Sequence, residues 1–286
     1  MTNSASDFWR GAAAGVHAYE NEAKVHVDIK MPPDGTPEDQ NRILESLASQ
    51  GYDAIALSVA APNDQLAVLN RISQRTKIIT IDSDAPRSGR LLYIGTNNMK
   101  AGRTLGEAIV RMLPDGGELA VFVGTLAADN ATQRLAGLVS AIAGHGIQIV
   151  DRREDNSDRA KARSNVEDMI NAHPRLDVAV GLWSYNGPAI AAAIGAAGAR
   201  GRVRGAVFDE EPGTLQGIED GTITCALVQK SFEFGYQASK WMHRLATGGQ
   251  SALDAIPRDR SVETGVELIT KENLAAHNVQ MAELSK

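Results

Sequence analysis

Five polar clusters follow apolar, β-branched runs along the 286-residue chain, and their residue types suit one kind of chemistry. "TIDSDAP" closes its run with Asp82 and Asp84, and "FVGTLAADNATQR" carries Asn130 and Arg134. "GLWSYNGPA" supplies Trp183, Tyr185 and Asn186, "VFDEEP" supplies Asp209, and "LVQK" supplies Gln229. Asp, Asn, Gln and Arg together give charge-assisted and bidentate hydrogen bonds to vicinal hydroxyls, while aromatic faces cover the C–H surface of a sugar ring. A single Asp or Asn at a strand end serves equally well as a turn or helix cap. Independent turns do not predict this mixture of donors, acceptors and aromatics. Open α/β sheets bind ligands at the carboxyl ends of their strands, where these clusters fall.

Catalytic signatures are missing. No G-x-G-x-x-G follows a strand, and "GAAGARG" (195–201) reads as a helix end; G-x-x-x-x-G-K-[ST] and G-x-S-x-G do not occur. The six histidines never pair at i, i+4, so no helical zinc site is expected. Glu210 and Glu211, at a helix start, read as charges that complement the helix dipole. The expectation is a protein without catalytic residues, metal or cofactor.

The elements that must position these clusters alternate. Strands are expected at 24–29, 52–59, 77–82, 118–124, 147–151, 177–182, 204–209 and 223–229. Helices are expected near 8–20, 37–50, 64–75, 99–113, 132–144, 159–172, 187–198, 212–220 and 231–246. This is the pattern of βαβ units and a mainly parallel sheet. In "TPEDQNRILESLASQG", Thr36 is an N-cap, Pro37 the first helical residue and Gly51 the stop. No proline- or serine-rich linker divides the chain, so two lobes would be joined by several crossings.

The opening "NSASDFWRGAAAGV" (3–16) runs from a polar loop straight into a helix, with Phe8 and Trp9 at the junction. A doubly wound sheet ordinarily opens on a buried strand. The expectation is that a first strand is missing, which would leave an unpaired sheet edge or gap.

Composition bounds the partners. A hydrophobic fraction of 43% suffices for a real core, and a formal net charge of −6 argues against a nucleic-acid or anionic-membrane surface. The lone Cys225, within "ITCALV", permits no intrachain disulfide and reads as a buried strand thiol. There is no 18-residue apolar run and no signal-peptide pattern.

On these segments the chain resembles the periplasmic sugar-binding proteins of ABC transporters, the type I, ribose-binding-protein-like family. "YDAIALSVAAPN", "IITIDSDAP", "IGTNNMKAG", "NATQRLAGL", "GLWSYNGPAI" and "VFDEEPGTLQGIEDGTITCALVQ" match in order and spacing over nearly the whole chain. The resemblance implies two Rossmann-like α/β lobes with parallel sheets, joined by a three-crossover hinge and closing on a sugar in the cleft. The implied lobes are 1–97 plus 230–258 and 98–229 plus 259–286. Phe8 and Trp9 would form an apolar wall; Asp82 and Asp84, Trp183, Tyr185 and Asn186, and Asp209 and Gln229 would contact the ligand. Asn130 and Arg134 are both candidates, with the choice between them open, and Asn98 lies at the hinge. Three positions depart from the ribose pattern: Ser83 and Thr132 stand where arginines are expected, and Ser157 where an aromatic is expected. Ribose is therefore not the expected ligand. A different pentose, a deoxy sugar or a linear polyol would fit these changes.

The implied protein is a monomeric, periplasmic, non-catalytic receptor that delivers a monosaccharide or polyol to a transmembrane permease, without nucleic acid or membrane insertion. The alternative is the effector-binding domain of a lactose-repressor-type transcriptional regulator, which would need a helix-turn-helix that these residues lack. A sugar enzyme is disfavoured by the absent nucleophile and phosphate loop.

Overall fold

A computed structural model describes residues 1–3, 8–33 and 35–284, so residues 4–7 of the opening loop lie outside the described residues. The chain divides into two compact units, Met1–Thr96 with Ala127–Asn130 and Lys230–Gly265, and Asn97–Leu126 with Ala131–Gln229 and Val266–Lys286.

The first unit is built on α1 (Trp9–Ala23), α2 (Pro37–Ser49), β1 (Ala54–Leu57), α3 (Leu66–Ser73), β2 (Lys77–Ile81) and β3 (Leu92–Gly95). To this the returning chain adds α9 (Ser231–Thr247), α10 (Gly249–Asp254) and β9 (Ser261–Glu263). Its sheet runs β1-β2-β3-β9, parallel throughout. Because β9 pairs with β3, the chain returns to the second unit after Gly265, where the sequence reading set the boundary after 258.

Each face of this sheet has its own core. Leu44, Leu47, Leu57, Leu69, Ile72 and Ile78 pack under α2 and α3. On the other side Trp9, Ile79, Ile81, Leu92, Phe234 and Ala238 pack under α1 and α9. Glycines let those two helices touch at backbone distance: a Cβ on Gly235 would sit 1.8 Å from the Ala12 carbonyl oxygen, and one on Gly15 2.0 Å from that of Phe232. The cap read from sequence is present at α2, where the Thr36 side chain accepts from the Asp39 N–H at 3.2 Å and Pro37 opens the helix.

The 24–29 segment forms no ladder, although it is extended and alternates, with Val25, Val27 and Ile29 half-buried and His26 and Asp28 exposed. The residues have strand chemistry; what they lack is a neighbouring strand. Three short strands escaped the sequence reading: β3 and β9 here, and β10 (Val266–Thr270) in the second unit. The first follows a turn-rich stretch, and the second has three residues, none of them buried.

The second unit comprises α4 (Asn98–Met112), β4 (Gly117–Val123), α5 (Asp129–Ile142), β5 (Ile147–Glu154), α6 (Arg159–Ala172), β6 (Leu176–Gly181) and α7 (Asn186–Ala196). It continues with β7 (Arg204–Phe208), α8 (Pro212–Asp220), β8 (Ile223–Gln229), β10 (Val266–Thr270) and α11 (Leu274–Leu284). The first residues of α5, through Asn130, group with the first unit. The sheet order is β10-β8-β7-β6-β4-β5, parallel except for the antiparallel edge strand β10. Its inner strands β4, β6, β7 and β8 are nearly continuous apolar runs, as a sheet covered on both faces requires, whereas the edge strands β5 and β10 carry polar residues and are largely unburied. Cys225 is buried in β8, and desolvation pushes its thiol up to about 12.

Candidate functional site

The strand-end residues gather into one constellation in each unit, and the two share a backbone device. Asp82, directly after β2, has φ 58°, and Asp209, directly after β7, has φ 63°. Left-handed backbone is uncommon outside glycine, but Asp and Asn tolerate it, and such residues cluster at binding sites. Both aspartates are only 4% exposed.

In the first unit Asp82 accepts from the Ser58 hydroxyl at 2.8 Å and from Asn130 Nδ2 at 3.3 Å on both oxygens. The Tyr93 hydroxyl donates toward the Asp82 carbonyl at 2.9 Å, bracing the turn. Ser83, which follows, is fully buried. Asp84 plays a different part: Arg90 grips its carboxylate with Nε at 2.8 Å and Nη2 at 2.5 Å, and the Ala85 N–H and Thr80 hydroxyl donate to it as well. Arg90 in turn donates from Nη1 to the Arg260 carbonyl. A bidentate pair of this kind holds a loop rigid. Phe8 is half-buried and meets Trp9 edge-on at 5.2 Å and Phe234 at 6.0 Å. Trp9 itself is 2% exposed and belongs to the core, because the first turn of α1 faces α9 and the sheet. Of the expected aromatic wall, Phe8 alone keeps surface open.

In the second unit Gln229, at the end of β8, bridges to Asp209 three ways: its backbone N–H at 3.0 Å and its Nε2 at 3.1 and 3.0 Å. The Gln229 Oε1 atom is buried without a hydrogen-bond partner among the described residues. An unused acceptor there costs about 1–3 kcal/mol unless a donor arrives. Arg134, 1% exposed, donates from Nε to Asn98 at 2.8 Å and from Nη1 to the Leu182 carbonyl at 2.7 Å, and its guanidinium lies 4.1 Å above the Phe208 ring. Asn98, read from sequence as a hinge residue, is thus the second residue after the 96/97 crossing and a buried partner of Arg134.

After β6, Trp183 is half-buried and packs on Gly124, where a Cβ would meet its ring at 2.0 Å. Tyr185 stands edge-on to it at 6.3 Å. The amide of Asn186 is engaged twice: its Oδ1 accepts from the Trp183 N–H at 3.0 Å and its Nδ2 donates to Asp155 at 3.1 Å. The Tyr185 hydroxyl also donates to Asp155, at 2.5 Å. Burial raises the Asp155 carboxyl to about 6, partly offset by these donors. Arg159 clasps Glu211 at 2.8 and 3.1 Å and lies over the Tyr185 ring at 5.6 Å.

Sequence reasoning missed Ser58, Arg90, Asp155 and Arg159. Asp155 carried the same signal as the others, an acid just after the β5 strand in "REDNSDR". Glu211 occupies the N-cap position of α8, but its carboxylate makes no capping hydrogen bond and is held by Arg159 instead. Glu210 differs: burial, with Asp209 and Glu267 nearby, pushes its carboxyl up to about 8, and the His277 ring sits 3.7 Å away with its own pKa lowered by burial. The folded chain keeps a proton on Glu210 that the unfolded chain releases above the ordinary carboxyl value of 4.5. The stabilisation is complete below that value and is lost as pH rises through about 8. Glu210→Gln should therefore flatten this part of the stability profile, gaining roughly 1–3 kcal/mol at pH 8.5 relative to pH 5. Urea midpoints of both proteins across that range check it.

Among the described residues no three His, Cys, Asp or Glu side chains are grouped to hold a metal, and no helix is long and apolar enough to cross a membrane.

Comparison with known proteins gives a concordant picture. Residues 1–250 match the family model described as "Periplasmic binding protein domain". The D-ribose/D-allose-binding protein of Pseudomonas aeruginosa is 26% identical, over 94% of this chain and 87% of its own length. An ABC transporter solute-binding protein from Burkholderia graminis, solved in complex with D-arabinose, superposes with a TM-score of 0.90 at 33% identity, covering 96% of this chain and 95% of that one. GanP, a glucose-galactose binding protein from Geobacillus stearothermophilus, gives 0.88 at 26% identity, covering 94% of each. The members of this family that resemble the chain are solute-binding proteins, not enzymes. Two parallel-sheet units, strand-end polar clusters and these relatives together place the chain in the periplasmic binding protein family, among the type I sugar-binding proteins of ABC transporters.

Proposed function

We propose that the chain captures one monosaccharide of the pentose or closely related class and delivers it, as a periplasmic monomer, to the transmembrane permease of an ABC transporter. The observation that carries this is the pair of left-handed strand-end aspartates, each cradled by a neutral amide: Asp82 by Asn130 and Asp209 by Gln229. A carboxylate held by amides keeps lone pairs suited to hydroxyl donors. In this reading each constellation supplies groups that bind sugar hydroxyls. Asp82 and Asp209 accept from sugar hydroxyls, Arg134 and Asn130 donate, the Gln229 Oε1 atom takes a further hydroxyl proton, and Phe8 and Trp183 cover the ring. Asp84, Asn186 and Trp9 support these groups from behind, since ion pairing, amide bonding and burial already engage them. Tyr185 does the same through Asp155. The B. graminis relative was solved with D-arabinose, and the P. aeruginosa relative is a D-ribose/D-allose binder. Ser83, Thr132 and Ser157, standing where the resemblance implies two arginines and an aromatic, argue for a ligand other than ribose in this reading.

The test is tryptophan fluorescence and calorimetry against D- and L-arabinose, ribose, xylose, allose, fucose, galactose and linear polyols. One stereochemical class should bind saturably with a Kd of about 10 μM or below, worth about 7 kcal/mol, and be recovered unchanged. The fluorescence response should vanish in Trp183→Phe while the calorimetric signal persists. A folded protein that binds none of the panel would refute the proposal.

A further inference from the structure

The second unit carries a strained loop directly after β5. Asn156 and Ser157 have φ 57° and 64°, two successive left-handed residues neither of which is glycine. Asp155, 1% exposed, braces them: its Oδ1 accepts from the Ser157 N–H at 2.9 Å, and its own N–H donates to the Val123 carbonyl at 3.1 Å. The Asn156 N–H donates to the Gly124 carbonyl at 2.9 Å. The same carboxylate also serves the loop after β6, accepting from the Tyr185 hydroxyl on Oδ1 and from Asn186 Nδ2 on Oδ2. Ser157 stands where the resemblance implies an aromatic, and the loop after β6 offers Trp183 in its stead.

The polarity of the Asn186 amide gives this cluster a direction. Its Oδ1 accepts from the Trp183 N–H and its Nδ2 donates to Asp155, an arrangement that needs an acceptor at Asp155 Oδ2. Oδ1 already serves two donors, so a proton, or the NH2 group of an asparagine, falls on the Oδ2 side and meets the Asn186 NH2 group donor to donor. Asn186 then turns its own oxygen towards residue 155, and the Trp183 N–H loses its acceptor. The Trp183 ring is seated so closely on Gly124 that an added Cβ would lie 2.0 Å from it, so a shift of this loop unseats the ring. The charged groups around the cluster are Lys161 and Arg159 of α6, with Arg159 held by Glu211 at the start of α8. Glu154 and Asp158 flank it in sequence, the first accepting from the Leu126 N–H and the second capping α6. Burial raises the Asp155 carboxyl to about 6 against the pull of its donors and of Lys161, while burial also raises the Tyr185 hydroxyl and keeps it a donor.

We infer that Asp155 is a positioning residue for sugar binding by the second unit: its carboxylate fixes the Asn186 amide, the amide fixes the Trp183 loop, and neutralising the carboxylate loosens the indole wall and weakens the hold on sugar. This rests on the reading of Trp183 as a face that covers the ring. The anionic form is the binding form, so affinity is full at neutral pH and falls as pH drops through about 6.

Asp155→Asn mimics the protonated carboxyl. At about pH 7.5 it should bind the sugar identified in the panel roughly five- to tenfold more weakly than the parent. The parent should lose a similar factor in a step near pH 6 that is absent from Asp155→Asn. Tyr185→Phe keeps the ring but removes a donor that favours the carboxylate, so its step should move to higher pH. Trp183 fluorescence is taken as the difference between each protein and its Trp183→Phe counterpart, which removes Trp9 and Trp241, and should show the same steps without sugar. Urea melts establish that each variant is folded. Undiminished affinity in Asp155→Asn, a step that persists in it, or a Tyr185→Phe step that stays in place would each overturn the inference. If the parent binds no sugar of the panel, the sugar reading fails and the sugar-free fluorescence decides the positioning: a step present in the parent and absent from Asp155→Asn supports it, and any other result overturns it.

Discussion

Asp209→Ala should weaken sugar binding roughly 10- to 150-fold, because a hydroxyl in the complex loses a charged acceptor worth about 1.5–3 kcal/mol. The substitution also strands Gln229, whose N–H and Nε2 both rely on the Asp209 carboxylate. Alanine at φ 63° adds backbone strain that aspartate tolerates better. Asp209→Asn separates these effects. It accepts the left-handed turn and keeps one carbonyl acceptor, so its stability should remain near the parent while affinity still falls about tenfold. Calorimetric titration with the sugar identified in the panel gives the binding values, and urea melts give the stabilities. An Asp209→Asn protein with undiminished affinity would remove this carboxylate from the site.

Gly235→Ala should cost the first unit about 3 kcal/mol or more, despite the gain of about 1 kcal/mol that alanine ordinarily brings to a helix interior. The added Cβ would lie 1.8 Å from the Ala12 carbonyl oxygen, 2.7 Å from the Ala12 carbonyl carbon and 3.0 Å from the Val16 nitrogen. All three are backbone atoms, so no rotamer change relieves the clash and α9 must move off α1. That displacement would also disturb Phe234, which packs with Trp9 and Phe8. Gly195→Ala in α7 is the matched control. Its nearest neighbour is an Arg200 side-chain nitrogen at 3.7 Å, and it should be neutral or gain up to about 1 kcal/mol. Chemical melts should therefore show a large loss for Gly235→Ala and no loss for Gly195→Ala. A Gly235→Ala protein as stable as the parent would mean the α1–α9 contact yields without cost.

Local chemistry makes much of this protein legible in its sequence alone. The α2 start was readable because a cap, a proline and early acids act within four residues of one another. The βαβ alternation was readable because strands buried on both faces must be apolar, and the strand-end aspartates stood out where those runs stopped. The resemblance rested on the same segments, in order. Asp82 and Asp209 were found this way, though their shared left-handed backbone was not, since φ is a property of the fold around them.

Pairing between residues distant in sequence decided the rest. Asp84 and Asp82 are indistinguishable as letters two positions apart. Only folding brings Arg90 onto one and Ser58 and Asn130 onto the other, making a brace and a candidate ligand acceptor. Trp9 and Phe8 are adjacent, yet the helix turn buries one and leaves the other half open. The 24–29 run has every strand property a sequence can hold, but a strand exists only when a neighbour bonds to it. The sequence by itself determined which residues are suited to a sheet and to sugar hydroxyls. Tertiary structure determined which of them have partners, because hydrogen bonds and burial depend on what distant parts of the chain bring alongside.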